Sequence, residues 1–148
     1  MPVLQGSCLC QGVRYTLASP PRFINLCHCS LCRKLSGSAF GSFLHADGRG
    51  LRWLAGEALV RRYESSPGNW RAFCTACGSL LPVLEDGGRH AIIPAGTLDD
   101  DPGLQPLVHI HCASKAPWYD LPADGLPRFD AFPPPTFWPA GPDDDPAA

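Results

Sequence analysis

The 148 residues, 45% of them hydrophobic, carry a formal net charge of −2, which is enough chain for one domain burying roughly two-thirds of its unfolded surface. So even a charge balance creates no field for nucleic acid or an anionic membrane, and no run approaches the ~18 apolar residues of a membrane span. The first residues, Met-Pro-Val-Leu-Gln-Gly-Ser-Cys, have neither a basic start nor an apolar secretion core, so a soluble cytoplasmic protein is expected. Nothing in the sequence sets an oligomeric state.

Along the chain, residues 9–18 alternate after Gly12 as a strand, with Val13, Tyr15 and Leu17 on one face. Ser19-Pro20-Pro21 ends it, and residues 22–26 form a second strand that runs into Cys27-His28-Cys29-Ser30-Leu31-Cys32. Residues 30–35 leave room for about one helical turn, which Ser36-Gly37 closes through glycine's tolerance of left-handed backbone. A third strand fits 39–45, followed by a turn at Asp47-Gly48-Arg49-Gly50 and by two short strands, 51–54 and 58–64, hinged at Gly56.

After a turn at 65–69, residues 70–73 lead into Cys74-Thr75-Ala76-Cys77-Gly78, the form of a zinc knuckle. Strands are expected at 80–84 and 90–96, the second marked by Pro94 as an edge or bulge. Residues 106–114 alternate again, setting Leu107, His109 and His111 against Val108, Ile110 and Cys112. A loop-like aromatic flap with Trp118, Tyr119, Phe129 and Phe132 follows. The domain therefore spans 1–132, and the Pro-rich, acidic stretch 133–148 is expected to be a disordered tail. Many short strands broken by Gly and Pro, without a sustained helical period, make the chain all-β.

The eight cysteines carry the chemistry. A reducing compartment turns such a count from a disulfide framework into metal ligands, and partners one residue apart are poorly placed to bridge one another. Cys8 and Cys10 with Cys74 and Cys77 supply four thiolates, a closed tetrahedral shell that reads as structural zinc. Iron is the alternative metal for such a set, and buried thiols are the alternative without metal. Cys27, Cys29 and Cys32 supply three ligands and leave one position open, the arrangement of a catalytic zinc to which a thiol substrate can bind. A closed site remains possible if Cys112, His28, His109 or His111 is the fourth ligand. Redox sensing by released thiolates is another reading. Arg33 is a candidate for a substrate carboxylate, His109 and His111 for acid–base work, and Trp118 for a pocket wall; solvated, core or packing roles are the alternatives.

Three ordered stretches, 6–15 with Cys8-Leu9-Cys10, 27–37 with Cys27-His28-Cys29-Ser30-Leu31-Cys32-Arg33-Lys34, and 73–78 with the knuckle, resemble the glutathione-dependent formaldehyde-activating enzyme family, which also includes centromere protein V. His109-Ile110 and 114–118, ending in Trp118, fit the same pattern, so the resemblance covers residues 5–130. It implies a β-tent fold of stacked antiparallel sheets and two zinc ions per chain. Of these, one is structural, on the cysteines matching Cys8, Cys10, Cys74 and Cys77; the other is labile, on those matching Cys27, Cys29 and Cys32. It also implies a carbon–sulfur lyase that assembles S-hydroxymethylglutathione from formaldehyde and glutathione, so the expected partners are a small thiol and an aldehyde. Cys112 stands where the family commonly has an apolar residue, and no stretch matches a dedicated glutathione-recognition segment.

Overall fold

The structure, a computed structural model, describes residues 2–141. Eleven strands in three sheets, one α-helix and six short 3-10 helices account for the regular structure among them. The first sheet joins β1 (Leu4–Ser7), β2 (Arg14–Leu17) and β5 (Leu51–Ala55), with β2 central. As alternation predicts, Val13, Tyr15 and Leu17 are fully buried. Strand β1 escapes the pattern because Leu4 is its only apolar side chain. What holds it is Gly6, which lacks the Cβ that would otherwise strike the Tyr15 ring laid across it. The Tyr15 hydroxyl then pairs with Thr97 Oγ1 at 2.6 Å.

The second sheet runs in the order β11, β3, β4, β10, β9, with β3 at Pro21–Cys27, β4 at Gly41–Asp47, β9 at Val83–Glu85, β10 at His90–Pro94 and β11 at Pro106–Ile110. Neighbours are antiparallel except for β11 and β3, which run parallel. Residues 95–105 form a long crossover from β10 that enters β11 in the direction of β3, as a parallel pairing requires. Pro94 ends β10 beyond the last residue that β9 pairs, so its missing N–H costs no ladder bond on that side.

The third sheet consists of β6 (Val60–Ser66), β7 (Asn69–Cys74) and β8 (Leu80–Leu81). The strand expected over 80–84 is in fact two, split at Pro82: β8 pairs with β7, whereas β9 pairs with β10. Proline cannot donate to a continuing ladder, and the chain changes sheets there.

Period-two alternation gives the second sheet two different faces. Ile24, Leu26, Leu44, Ala46, Ala91 and Ile93 pack against Leu4, Tyr15, Leu17 and Leu51 of the first sheet in the main core, each fully buried aliphatic side chain contributing about 1.5–3 kcal/mol. Their alternates on β3, β4 and β10 include Asn25, Cys27, Phe43, His45, His90 and Ile92, and these floor a cavity beneath the third sheet.

Helix α1 (Ser30–Ser36) is nearly two turns rather than the single turn expected, and Gly37 closes it at φ 63° by donating to Arg33 O at 2.9 Å. The flap is irregular: Tyr119 packs on Phe40 and His28, and Phe129 on Phe137. Of the stretch expected to be disordered from Pro133, residues 133–141 are packed on the domain, with Trp138 4.8 Å from the Phe23 ring and Pro139 O accepting from Arg22 at 2.7 Å. Aromatic side chains that the acidic, Pro-rich composition obscures make this contact; residues 142–148 lie outside the described part. No helix of the structure is long and apolar enough to cross a membrane.

Candidate metal centres and the cavity between the sheets

Cys8 and Cys10 leave β1 in a tight turn, where Gln11 adopts φ 62° and donates to Cys8 O at 2.9 Å. Cys74 ends β7, and Gly78 at φ 78° returns its N–H to Cys74 O, carrying Cys77 back alongside. The four Sγ atoms lie within 4.8 Å of one another, at 3.5 Å for Cys8–Cys10 and 3.9 Å for Cys10–Cys74. A tetrahedral shell with zinc–sulfur bonds of about 2.3 Å places its sulfurs about 3.8 Å apart, so these residues fit the ion. Fixed donors also suit thiolates: Val13 N–H reaches Cys8 Sγ at 3.3 Å, and the Ser79 hydroxyl meets Cys77 Sγ at 3.2 Å. The Ser79 hydroxyl and backbone N–H hold the Cys77 thiol down to about 5.

The second cluster sits where β3 meets α1. Cys27 is the last residue of β3, Cys29 caps the helix, and Cys32 lies buried in its first turn; their Sγ atoms are also within 4.8 Å of one another. Cys29 Sγ accepts from Cys32 N–H at 3.3 Å. Hydrogen bonds from Cys27 and Cys32, aided by backbone N–H groups, hold Cys29 down to about 2, while the same pairing pushes Cys27 up. Arg71 Nη2 stands 3.9 Å from Cys32 Sγ as the nearby cation. Three clustered soft donors beside a guanidinium suit a thiophilic ion.

Among the described residues, no fourth Cys, His, Asp or Glu joins this cluster within 4.8 Å. The alternation expected through residue 114 stops at Ile110, because His111 takes a left-handed φ of 55° and turns Cys112 off the strand, its N–H going to Phe129 O. His28 points the other way from its cysteine neighbours: fully buried, it pairs through Nε2 with His109 Nδ1 at 2.9 Å, and His109 Nε2 meets Asp124 at 2.7 Å.

The triplet opens on a cavity of about 460 Å³. The second sheet forms its floor, and Trp70, Arg71 and Leu80 of the third sheet with Leu31 of α1 form its walls. Of the histidines weighed from sequence, His111 reaches it. Three candidate substrate contacts do not line it. Arg33 lies on the outer side of α1 and donates to Ser114 O at 3.2 Å; His109 is sealed between His28 and Asp124; Trp118 is 71% exposed on the flap. Helix and strand periodicity turn Arg33 and His109 away from the space between the sheets, and Trp118 stands on the irregular flap. Arg71, His45, His90 and Glu85 line it instead and were missed. The available signal was alternation itself, since Asn25 with Cys27 and Phe43 with His45 each share a face, but the partner strands were not known.

Residues 3–114 match the model of the family described as glutathione-dependent formaldehyde-activating enzyme. A curated protein of Halomonas elongata named "Putative glutathione-dependent formaldehyde-activating enzyme" is 33% identical over 129 residues, covering 80% of this chain and 81% of that protein. A crystal structure of a Rhodobacter sphaeroides protein superposes with a TM-score of 0.52 at 20% identity, covering 69% of this chain and 91% of that one, a likeness of fold.

Proposed function

Since the chain belongs to the glutathione-dependent formaldehyde-activating enzyme family, we propose that it is a zinc-dependent carbon–sulfur lyase acting on a thiol–aldehyde adduct, in the manner of S-hydroxymethylglutathione synthesis. The observation that carries this reading is the three-thiol cluster, one ligand short of a closed shell, opening directly on a cavity. A structural site is closed by its own ligands, whereas a site that takes substrate keeps a position free.

In this reading Cys8, Cys10, Cys74 and Cys77 hold a structural ion, and Cys27, Cys29 and Cys32 hold the reactive one. Bound zinc supplies Lewis acidity that stabilises the substrate sulfur as thiolate at neutral pH. The protein does the rest. Arg71 offsets the negative charge of the three thiolates, and its guanidinium is braced by Ser65 Oγ at 3.2 Å and by the Phe43 ring. Leu31, Phe43 and Ile110 exclude water from the space where sulfur and carbonyl carbon meet. His111, on the same cavity, is placed to exchange a proton with the carbonyl oxygen as the carbon–sulfur bond forms or breaks. None of the eight cysteines is bonded in a disulfide, which suits the reducing cytoplasm proposed for this chemistry.

Cys29→Ser is the direct test, because serine is a good helix cap and preserves the start of α1 while removing a soft ligand. The zinc-loaded protein should contain two ions per chain and accelerate formation and breakdown of thiol–formaldehyde adducts. The variant should lose activity by about a hundredfold or more with its circular dichroism unchanged. A zinc-loaded wild type that accelerates no adduct of several thiols would sink the enzymatic reading. Global unfolding of Cys29→Ser would point to a zinc-stabilised binding module.

A further inference from the structure

The cavity has a second polar end away from the triplet. His45 Nε2 lies 3.1 Å from Asn25 Oδ1, and His45 Nδ1 lies 2.9 Å from His90 Nε2. An amide oxygen only accepts, so His45 Nε2 carries a proton toward Asn25. Burial keeps His45 neutral, with its own value pushed down to about 3, which leaves Nδ1 as a lone pair. His90 Nε2 must then donate to it, and a neutral His90 is left with Nδ1 as an acceptor. No described residue bonds that nitrogen. Directly across the ladder, Glu85 on β9 is paired in register with His90 on β10 and acts on it electrostatically, and its half-buried carboxylate, which also lines the cavity, has no hydrogen bond or ion pair among the described residues.

Two unfilled acceptors, one of them charged, thus face the same space from adjacent strands. The nearby charges do not fill them. Asp86 is paired with Arg89 and Asp47 with Arg49, while Arg22 donates to Pro139 O and does not line the cavity. From Cys27 on β3 to Glu85 on β9 the sheet advances three strands, a lateral span of about 14 Å at about 4.8 Å per strand.

We propose that Glu85 and His90 form a subsite for a protonated primary amine at the far end of an extended thiol whose sulfur lies at the Cys27, Cys29, Cys32 cluster. The proposal rests on the reading of that cluster as the thiol site and assigns to Glu85 and His90 the recognition of the far end of that thiol. The ammonium donates to the Glu85 carboxylate and to His90 Nδ1, while Asn25, acting through His45, holds the His90 ring in the accepting tautomer. Glu85 and His90 thereby determine specificity without touching the reacting atoms.

Isothermal titration with S-methylglutathione reads the subsite without the reaction, because its sulfur cannot form an adduct. The wild-type zinc-loaded protein should bind it, and N-acetylation of the ligand should weaken binding about tenfold. Glu85→Gln should weaken the free amine about tenfold and the acetylated ligand not at all. Equal binding of the two ligands by wild type overturns the proposal, as does no binding of S-methylglutathione or an equal loss for both in Glu85→Gln. The ligand comparison on wild type stands even if the variant folds poorly. Amine-dependent binding without adduct turnover would remove the catalytic reading and keep the subsite; turnover indifferent to acetylation would do the reverse.

Discussion

His45 shows how a single residue couples the cavity to the stability of the sheet. It stacks on Phe23 at 4.5 Å and bridges Asn25 to His90. Burial first, then electrostatic interaction with the neighbouring His90 ring and the Arg22 guanidinium, depresses it from 6.5 to about 3. Between those values the unfolded chain binds a proton that the folded chain refuses. The stabilisation is therefore full above pH 6.5 and is lost as pH falls toward 3, at about 1.4 kcal/mol per pH unit. Acid also releases metal from thiolates, so the measurement is a comparison: urea-unfolding free energies of wild type and His45→Gln between pH 6.5 and 4.5. The variant should show a shallower loss, and parallel curves would refute the assignment.

At the scale of elements, α1 matters because it carries Cys32 and is capped by Cys29. With only seven residues it has no stability of its own, so its ends decide its position. Gly37 ends it at φ 63°, and a Cβ there would meet nothing within 4 Å. Any cost of substitution is therefore backbone strain alone. Gly37→Ala should lower the unfolding free energy by about 1–2 kcal/mol, shifting the urea midpoint at unchanged slope. Gly37→Asn should recover part of the loss, since asparagine tolerates the left-handed region. An unchanged midpoint for Gly37→Ala would show that the cap is not needed.

Across the whole molecule the proposed function gives the two cysteine clusters different work. The four-thiol cluster ties the turn after β1 to the end of β7, with 64 residues separating Cys10 from Cys74. It is continuous with the smaller core of Val13, Ala72, Leu81 and Val83. Metal bound there contributes directly to folding free energy, whereas the triplet spans only Cys27 to Cys32. Cys77→Ser should therefore lower the melting temperature far more than Cys29→Ser, by a loss on the order of several kcal/mol, seen by calorimetry on zinc-loaded proteins. Equal losses would mean that both sites are structural.

Local chemistry was legible in the order of residues. Cysteine spacing marked both clusters, alternation marked β2 and β11, short apolar runs marked β3 and β4, and Ser36-Gly37 marked the end of α1, because each of these signals depends on neighbours within a few positions. Strand β1 was not legible, since Gly6 accommodates a tyrosine from another strand, and Pro82 did not announce that it separates two sheets. The lining of the cavity was the least legible. Arg33 and Trp118 lie in or near recognisable motifs yet face away, while Arg71, His45, His90 and Glu85 come from four strands that only sheet pairing brings together. Sequence by itself determined which groups can bind metal; tertiary structure decided that no fourth such ligand among the described residues joins the triplet and what surrounds it. The physical reason is that ligand spacing is set along the chain, but a cavity is the space left between faces of sheets, and those faces are assigned only when distant strands find their register.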